Sequence, residues 1–167
     1  MNLRVLASRI CDFFHWPLTF SGQELGTRSR LPSLPYSKTL VLVIEDDSHI
    51  SRLVRNHFEK AFPSVRVEIA GSPAKAQMIC ERFKPHVIIW DGEPNERGTR
   101  EEYAACIPDH FWRRVIPISC VPESQSHAQT KGALPALPKP QESLNAWAAQ
   151  VTVAAKAILS PPKPGKR

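Results

Sequence analysis

Residues 40–47 read Leu-Val-Leu-Val-Ile-Glu-Asp-Asp, an apolar run that ends in three acids. Its five successive apolar residues are apolar on both faces, as a buried parallel strand requires. Ser48 can cap a following helix. Apolar residues then recur at helical spacing up to about Phe62, namely Ile50, Leu53, Val54 and Phe58. The stretch predicts a buried strand that leads into an amphipathic helix, with acidic residues at the turn between them.

This strand-and-helix unit repeats along the chain. Further strands are predicted at 65–69, 85–90, 114–118 and 133–137. Helices are predicted from Ser72-Pro73 onward, at 103–111 with Pro108 shortening or breaking it, and from 141 to about 158, with a short or frayed helix between 119 and 132. Strands alternating with helices predict an α/β fold. We expect a flavodoxin-like doubly wound, five-stranded parallel sheet of order 2-1-3-4-5, with helices on both faces.

The unusual composition of the 167 residues lies mainly at the two ends. Of the net charge of +6, residues 1–37 carry +2, residues 38–156 carry +1 and residues 157–167 carry +3. We expect a disordered or weakly ordered extension at 1–37, one domain at 38–158 and a basic Pro/Lys-rich tail at 159–167. Because no cluster of Lys and Arg marks the domain, no specific nucleic-acid partner is expected.

The cysteines and the first residues bear on the compartment. Four widely spaced cysteines, without a Cys-x-x-Cys pair, argue against a structural zinc site and favour free thiols in a reducing cytoplasm. The first twenty residues lack the roughly 20-residue apolar run of an integral membrane span. We therefore expect a cytoplasmic protein.

Acidic residues follow the first and the third predicted strands. Glu45 and Asp46 come after the first, and Asp91 after the third. In a doubly wound sheet these strand ends meet at the switch point, where ligands bind. Three carboxylates there repel one another unless a cation lies among them, and an all-oxygen set suits Mg²⁺. A carboxylate beside such a metal can accept a phosphoryl group, although acids after strands can instead cap the next helices, as Asp46 or Asp47 could do.

Two further side chains are expected at the same edge. Lys139 follows the fifth predicted strand and precedes Pro140, so the bond between them is a candidate cis peptide that could aim the ammonium across the sheet edge. Ser119 lies one residue past the fourth strand and can offer a hydroxyl, although a serine there is more often a turn residue.

Three segments together resemble response-regulator receiver domains of the CheY-like superfamily. They are VLVIEDDSHISRLVRNHF, HVIIWD and GALPALPKP, in the order and at the separations of the family's first, third and fifth strand signatures. The resemblance covers about residues 38 to 156. It implies a stand-alone phosphoacceptor response regulator of a two-component phosphorelay. Its partners would be a histidine kinase or histidine phosphotransfer protein and a downstream effector protein.

The resemblance also implies a role for each site residue. Glu45 and Asp46 would hold Mg²⁺ together with Asp91, which would accept the phosphoryl group. The main-chain carbonyl of Glu93 would be a further metal ligand. Ser119 and Lys139 would contact the phosphoryl oxygens.

The chain departs from the family pattern in two places. Pro94 and Gly98 each lie one residue closer to Asp91 than is usual, and Ala136 stands where many receivers have an aromatic switch residue. These departures leave open an alternative, a pseudo-receiver that binds partners without phosphorylation.

A third reading is a phosphohydrolase with an aspartyl nucleophile. Glu93 loosely imitates the second acid of such enzymes, but no cap domain is indicated. We therefore expect a non-enzyme with at most weak autophosphatase activity.

Overall fold

The computed structural model describes residues 39–160 except 94 and 96. The predicted extension at 1–37 and the predicted tail beyond residue 160 lie outside the described residues. The elements, in chain order, are β1 Leu40–Ile44, α1 Ser48–Ala61, β2 Arg66–Ala70, α2 Pro73–Phe83, β3 Val87–Trp90, α3 Arg100–Ala105, a 3₁₀ helix Asp109–Arg114, β4 Val115–Pro117, α4 Pro122–Thr130 and α5 Leu144–Leu159.

Four strands form one parallel sheet in the order β2-β1-β3-β4. The order and the direction confirm the predicted doubly wound α/β fold. In the register, Ile44 of β1 stands beside Trp90 of β3. The residues that follow these two, Glu45 and Asp91, therefore leave the sheet side by side at one edge.

The predicted fifth strand reaches the sheet as an irregular segment. Leu134 and Leu137 donate their N–H groups to the carbonyls of Val115 and Pro117, at 2.9 and 2.8 Å. In a strand, the N–H and C=O of one residue point to the same side, so the nitrogen of Pro117 also faces this segment and has no hydrogen to donate back. The segment also uses three residues where β4 uses two, which is the spacing of a bulge. A regular ladder is therefore not formed.

The two faces of the sheet bury separate cores. On β1, Leu40, Leu42 and Ile44 face α2 and α3, whereas Val41 and Val43 face α1 and α5. This alternation follows from the two-residue period of a strand. Helices thus cover both faces, as predicted, and the central strand β1 is fully buried.

The helix ends differ in detail from the sequence expectations. Asp47, one of the capping candidates in the sequence, caps α1, since its carboxylate accepts the N–H groups of His49 and Ile50, and Ser48, another candidate, is the first residue of the helix. The predicted helix at 103–111 ends at Ala105, and a 3₁₀ helix follows Pro108. The segment expected to hold a short or frayed helix contains α4, which is short, at nine residues. None of the helices between residues 39 and 160 is both long and apolar enough to cross a bilayer.

Candidate functional site

Three carboxylates meet at the edge of the sheet. One oxygen from each of Glu45, Asp46 and Asp91 lies within 4.8 Å of the other two. Glu45 and Asp91 are buried and Asp46 is exposed, so the cluster opens to solvent on one side. The register of β1 and β3 accounts for the meeting, because it carries Glu45 and Asp91 to the same level.

Lys139 reaches the same cluster from the fifth segment. Its Nζ donates to Asp91 Oδ2 at 2.7 Å and to Glu45 Oε2 at 3.3 Å. The backbone is held in place because the N–H of Lys139 donates to the carbonyl of Ile118. No peptide bond among the described residues is cis, so the Lys139–Pro140 bond, a candidate for the cis form, is trans. The ammonium reaches the acids through a trans peptide.

Burial shifts the protonation of this cluster. It raises the pKa of Glu45 from its ordinary 4.5 to about 7, with the charge of Asp91 adding to the effect. Burial also raises the pKa of Asp91, and the hydrogen bond from Lys139 offsets part of that rise. For Lys139, burial works to lower the pKa, but the hydrogen bond and charge of Asp91 prevail and raise it. Lys139 therefore stays charged, but its single positive charge is less than the negative charge of the three carboxylates when all are ionised.

This charge deficit fits a divalent cation. Among the described residues, the ion pairs to this trio come from Lys139, which meets Glu45 and Asp91, the two acids that are buried where ionisation is costly. The donors are all oxygen, which is the preference of Mg²⁺, and the exposed Asp46 leaves room for the waters that Mg²⁺ retains. Glu45 is further oriented by the N–H of Asp47, which donates to its Oε1 at 3.0 Å.

Glu93 and Ser119 form a second group beside the acids. The N–H of Glu93 donates to Asp91 Oδ1 at 3.2 Å. The Glu93 carboxylate turns to the end of β4, where its Oε1 accepts from Ser119 Oγ at 3.3 Å and from the N–H of Cys120 at 2.8 Å. Ser119 is buried, and its hydroxyl also accepts the N–H of Val121. Ser119 therefore joins the site through Glu93, and the metal-ligand role of the Glu93 carbonyl stays a prediction.

Two residues at this edge, Gly92 and Ser124, were not predicted from the sequence. Ser124 is fully buried in α4, where its hydroxyl donates to the carbonyl of Gly92 and accepts from Arg100 Nε, each at 2.9 Å. Gly92 itself admits no side chain, since a Cβ there would lie 2.2 Å from the Trp90 ring. Gly92, directly after the acid, was the available signal. Nothing in the local sequence distinguished Ser124 from a surface serine.

The comparisons with known proteins divide sharply between sequence and structure. No protein-family model matches this chain, and no curated protein sequence matches it. Solved structures do match. The phosphorylated cyanobacterial phytochrome response regulator RcpA has a TM-score of 0.59 at 16% identity, covering 74% of this chain and 96% of its own. The Mn²⁺-bound response regulator Rcp1 has a TM-score of 0.58 at 18% identity, covering 76% and 99%.

A chemotaxis protein belongs to the same group of matches. The response regulator CheY4 of Vibrio cholerae has a TM-score of 0.55 at 19% identity, covering 71% of this chain and 99% of its own. Each of these structures is matched over nearly its whole length, so the likeness concerns an entire domain. The chain has the fold of response-regulator receiver domains.

Proposed function

We propose that this protein is a phosphoacceptor response regulator of a two-component phosphorelay. In this proposal Asp91 takes a phosphoryl group from a histidine kinase or a histidine phosphotransfer protein, and the altered surface is read by an effector protein. The observation that carries the proposal is the position of Lys139 Nζ, 2.7 Å from Asp91 Oδ2, within a cluster of three carboxylates. An ammonium and two further acids beside one reactive carboxylate, with the metal ion that the acids would hold, are the parts that phosphoryl transfer requires.

Asp91 is the proposed nucleophile. One carboxylate oxygen would form the bond to phosphorus while the bond from phosphorus to the donor's imidazole nitrogen breaks. Glu45 and Asp46 would hold Mg²⁺ with Asp91, and the Glu93 carbonyl would complete the protein ligands. When bound, Mg²⁺ would neutralise negative charge on the transferring phosphoryl group.

Lys139 is the proposed electrostatic partner of the phosphoryl oxygens. It already faces Asp91, and the buried acids keep it charged. Ser119 is the proposed hydroxyl donor to the same oxygens. The protein is proposed to be a switch with at most weak autophosphatase activity rather than an enzyme that turns over a substrate.

The connection from the site to α4 supports a signalling role. Ser119 accepts the N–H of Val121 on its hydroxyl and the Gln125 side-chain N–H on its carbonyl, so the start of α4 is tied to the residue proposed to meet the phosphoryl group. A change in the position of Ser119 would therefore shift the start of α4, even though Ala136 stands in place of the usual aromatic switch residue. The proposed location is the cytoplasm, which accords with free thiols at Cys80, Cys106 and Cys120.

Phosphorylation in vitro tests the proposal. The full chain would be incubated with acetyl phosphate and Mg²⁺ and followed by intact-protein mass spectrometry. We expect the mass of one phosphoryl group to be gained, and Asp91→Asn to abolish the gain. Asp109→Asn is the matched control, because Asp109 is an exposed acid away from the cluster that pairs with Lys131. A wild-type chain without any gain would favour the pseudo-receiver instead.

A further inference from the structure

The Glu93 carboxylate occupies two hydrogen-bond donors at the end of β4. One oxygen, Oε1, accepts from both the Ser119 hydroxyl and the Cys120 N–H. The backbone of Glu93 is fixed nearby, because its N–H donates to Asp91 Oδ1. An internal anion is therefore bound next to the proposed phosphoacceptor, by groups in the loop that follows β4.

These donors are placed to serve a phosphoryl group on Asp91. β3 and β4 are adjacent parallel strands, and the N–H of Ile118 donates to the carbonyl of Trp90, so Ser119 and Asp91 leave the sheet next to each other. A phosphoryl group brings terminal oxygens that each need a donor or a cation. Lys139 faces Asp91 already. Two further donors at this edge, the Ser119 hydroxyl and the Cys120 N–H, are engaged by Glu93.

We infer that the Glu93 carboxylate is an internal competitor of the phosphoryl group. In the unphosphorylated protein it satisfies the Ser119 hydroxyl and the Cys120 N–H, and it must leave them before phosphoryl oxygens can bind there. The inference rests on the proposed function, and it names the residue that sets how readily the site accepts its phosphoryl group.

The competitor also couples occupancy of the site to α4. Cys120 and Val121 form the entrance to α4, and the N–H of Val121 is bound to the same Ser119 hydroxyl. When a phosphoryl group replaces the Glu93 carboxylate, these donors still bind an anion, but the anion is then attached to Asp91. The conformation of Cys120 and Val121 at the start of α4 then depends on which anion is bound.

A beryllofluoride titration tests the inference. Beryllofluoride imitates a phosphoryl group on a carboxylate, and its binding in the presence of Mg²⁺ is followed by ¹⁹F NMR. We expect Glu93→Ala to lower the half-saturating concentration about tenfold, because a carboxylate that accepts two hydrogen bonds no longer competes. Glu93→Gln should lie between Glu93→Ala and the wild type, since an uncharged amide oxygen can still accept both bonds. This second variant also keeps the size of the side chain if Glu93→Ala folds poorly.

The matched control is Glu123→Gln. Glu123 is an exposed acid in the first turn of α4, and removing its charge touches neither Ser119 nor Cys120. We expect its titration to resemble that of the wild type. If Glu93→Ala and Glu123→Gln shifted the binding equally, the effect would be one of general charge and the inference would be overturned.

A second readout follows the contact itself. The backbone amide signal of Cys120 in ¹H–¹⁵N spectra should move in Glu93→Ala without any ligand, and in the wild type on adding beryllofluoride. An unchanged Cys120 signal in Glu93→Ala would contradict the contact. Binding that is equal in the wild type and Glu93→Ala would overturn the competitor while leaving the proposed function intact. If neither bound beryllofluoride, the proposed function would fail, and the competitor with it.

Discussion

The site is assembled from two unlike halves. Its acidic half, made of Glu45, Asp46 and Asp91, follows β1 and β3, whose regular parallel register brings Glu45 and Asp91 to one level. Its basic half, Lys139, lies on the segment after α4, where prolines prevent a ladder and three backbone N–H groups donate to the carbonyls of Val115, Pro117 and Ile118. Regular pairing fixes the positions of Glu45 and Asp91, whereas irregular backbone held at a few points fixes the position of Lys139. The two halves should therefore respond differently to damage.

The largest expected difference comes from the same substitution in each half. Leu42→Ala in the buried centre of β1 should lower the free energy of unfolding by about 3 kcal/mol, because it leaves a cavity in a closely packed core. Leu137→Ala in the irregular segment removes a partly buried side chain whose place solvent can take, so the free energy of unfolding should fall by only about 1 kcal/mol. Urea unfolding followed by circular dichroism measures both. Equal losses would mean that the fifth segment is packed as firmly as the regular strands.

A smaller effect is expected from removing the lysine that joins the halves. Lys139→Met leaves Glu45 and Asp91 buried without their ammonium partner, so the metal-free protein should lose about 2 kcal/mol of unfolding free energy at pH 8. Added Mg²⁺ should restore more stability to this variant than to the wild type, because cation and ammonium compete for the same oxygens.

Lys131→Met is the control for this change. Its partner Asp109 is exposed, so less than about 0.5 kcal/mol is expected. If the two lysine variants lost the same small amount, Lys139 would be an ordinary surface residue and the two halves would not be coupled.

The acidic half should also impose a pH dependence on the metal-free protein. The folded pKa of Glu45 is raised to about 7 from 4.5, so between these values the folded state holds more protons than the unfolded state. The free energy of unfolding should therefore fall as the pH rises from about 4.5 to 7, by an amount of the order of 1 kcal/mol. The raised pKa of Asp91 acts in the same direction, and Lys139 stays protonated throughout.

Thermal unfolding in a metal chelator, repeated at several pH values, measures this slope. Glu45→Gln should flatten it, since the uncharged amide does not titrate. A stability that rose with pH over the same interval in the wild type would contradict the burial that raises the pKa of Glu45.

The acidic half could be read from the sequence because its information is local. A run of apolar residues that ends in acid marks the strand and its carboxyl end together, and parallel topology then brings Glu45 and Asp91 to the same edge. Lys139 was predicted at this edge because it follows the fifth predicted strand and precedes a proline, and the resemblance then implied its role. Its trans peptide was not foreseen, because either isomer is compatible with a Lys-Pro sequence.

What the sequence could not supply depends on contacts between distant segments. The turn of the Glu93 side chain toward Ser119 and Cys120 joins residues 26 and 27 positions apart, and no local pattern encodes it. The irregular fifth segment carried a signal that was available but not used. Pro135 and Pro138 cannot donate to a ladder, and Pro117 opposite them has the same deficiency.

Identifying the phosphorylated residue tests the central claim most directly. The protein would be treated with acetyl phosphate and Mg²⁺, reduced with borohydride, which converts an aspartyl phosphate to homoserine, and mapped by peptide mass spectrometry. Homoserine at position 91, absent when Mg²⁺ is withheld, is the predicted result. Unmodified Asp91, or homoserine at another aspartate, would contradict the claim that this edge of the sheet is a phosphoacceptor site.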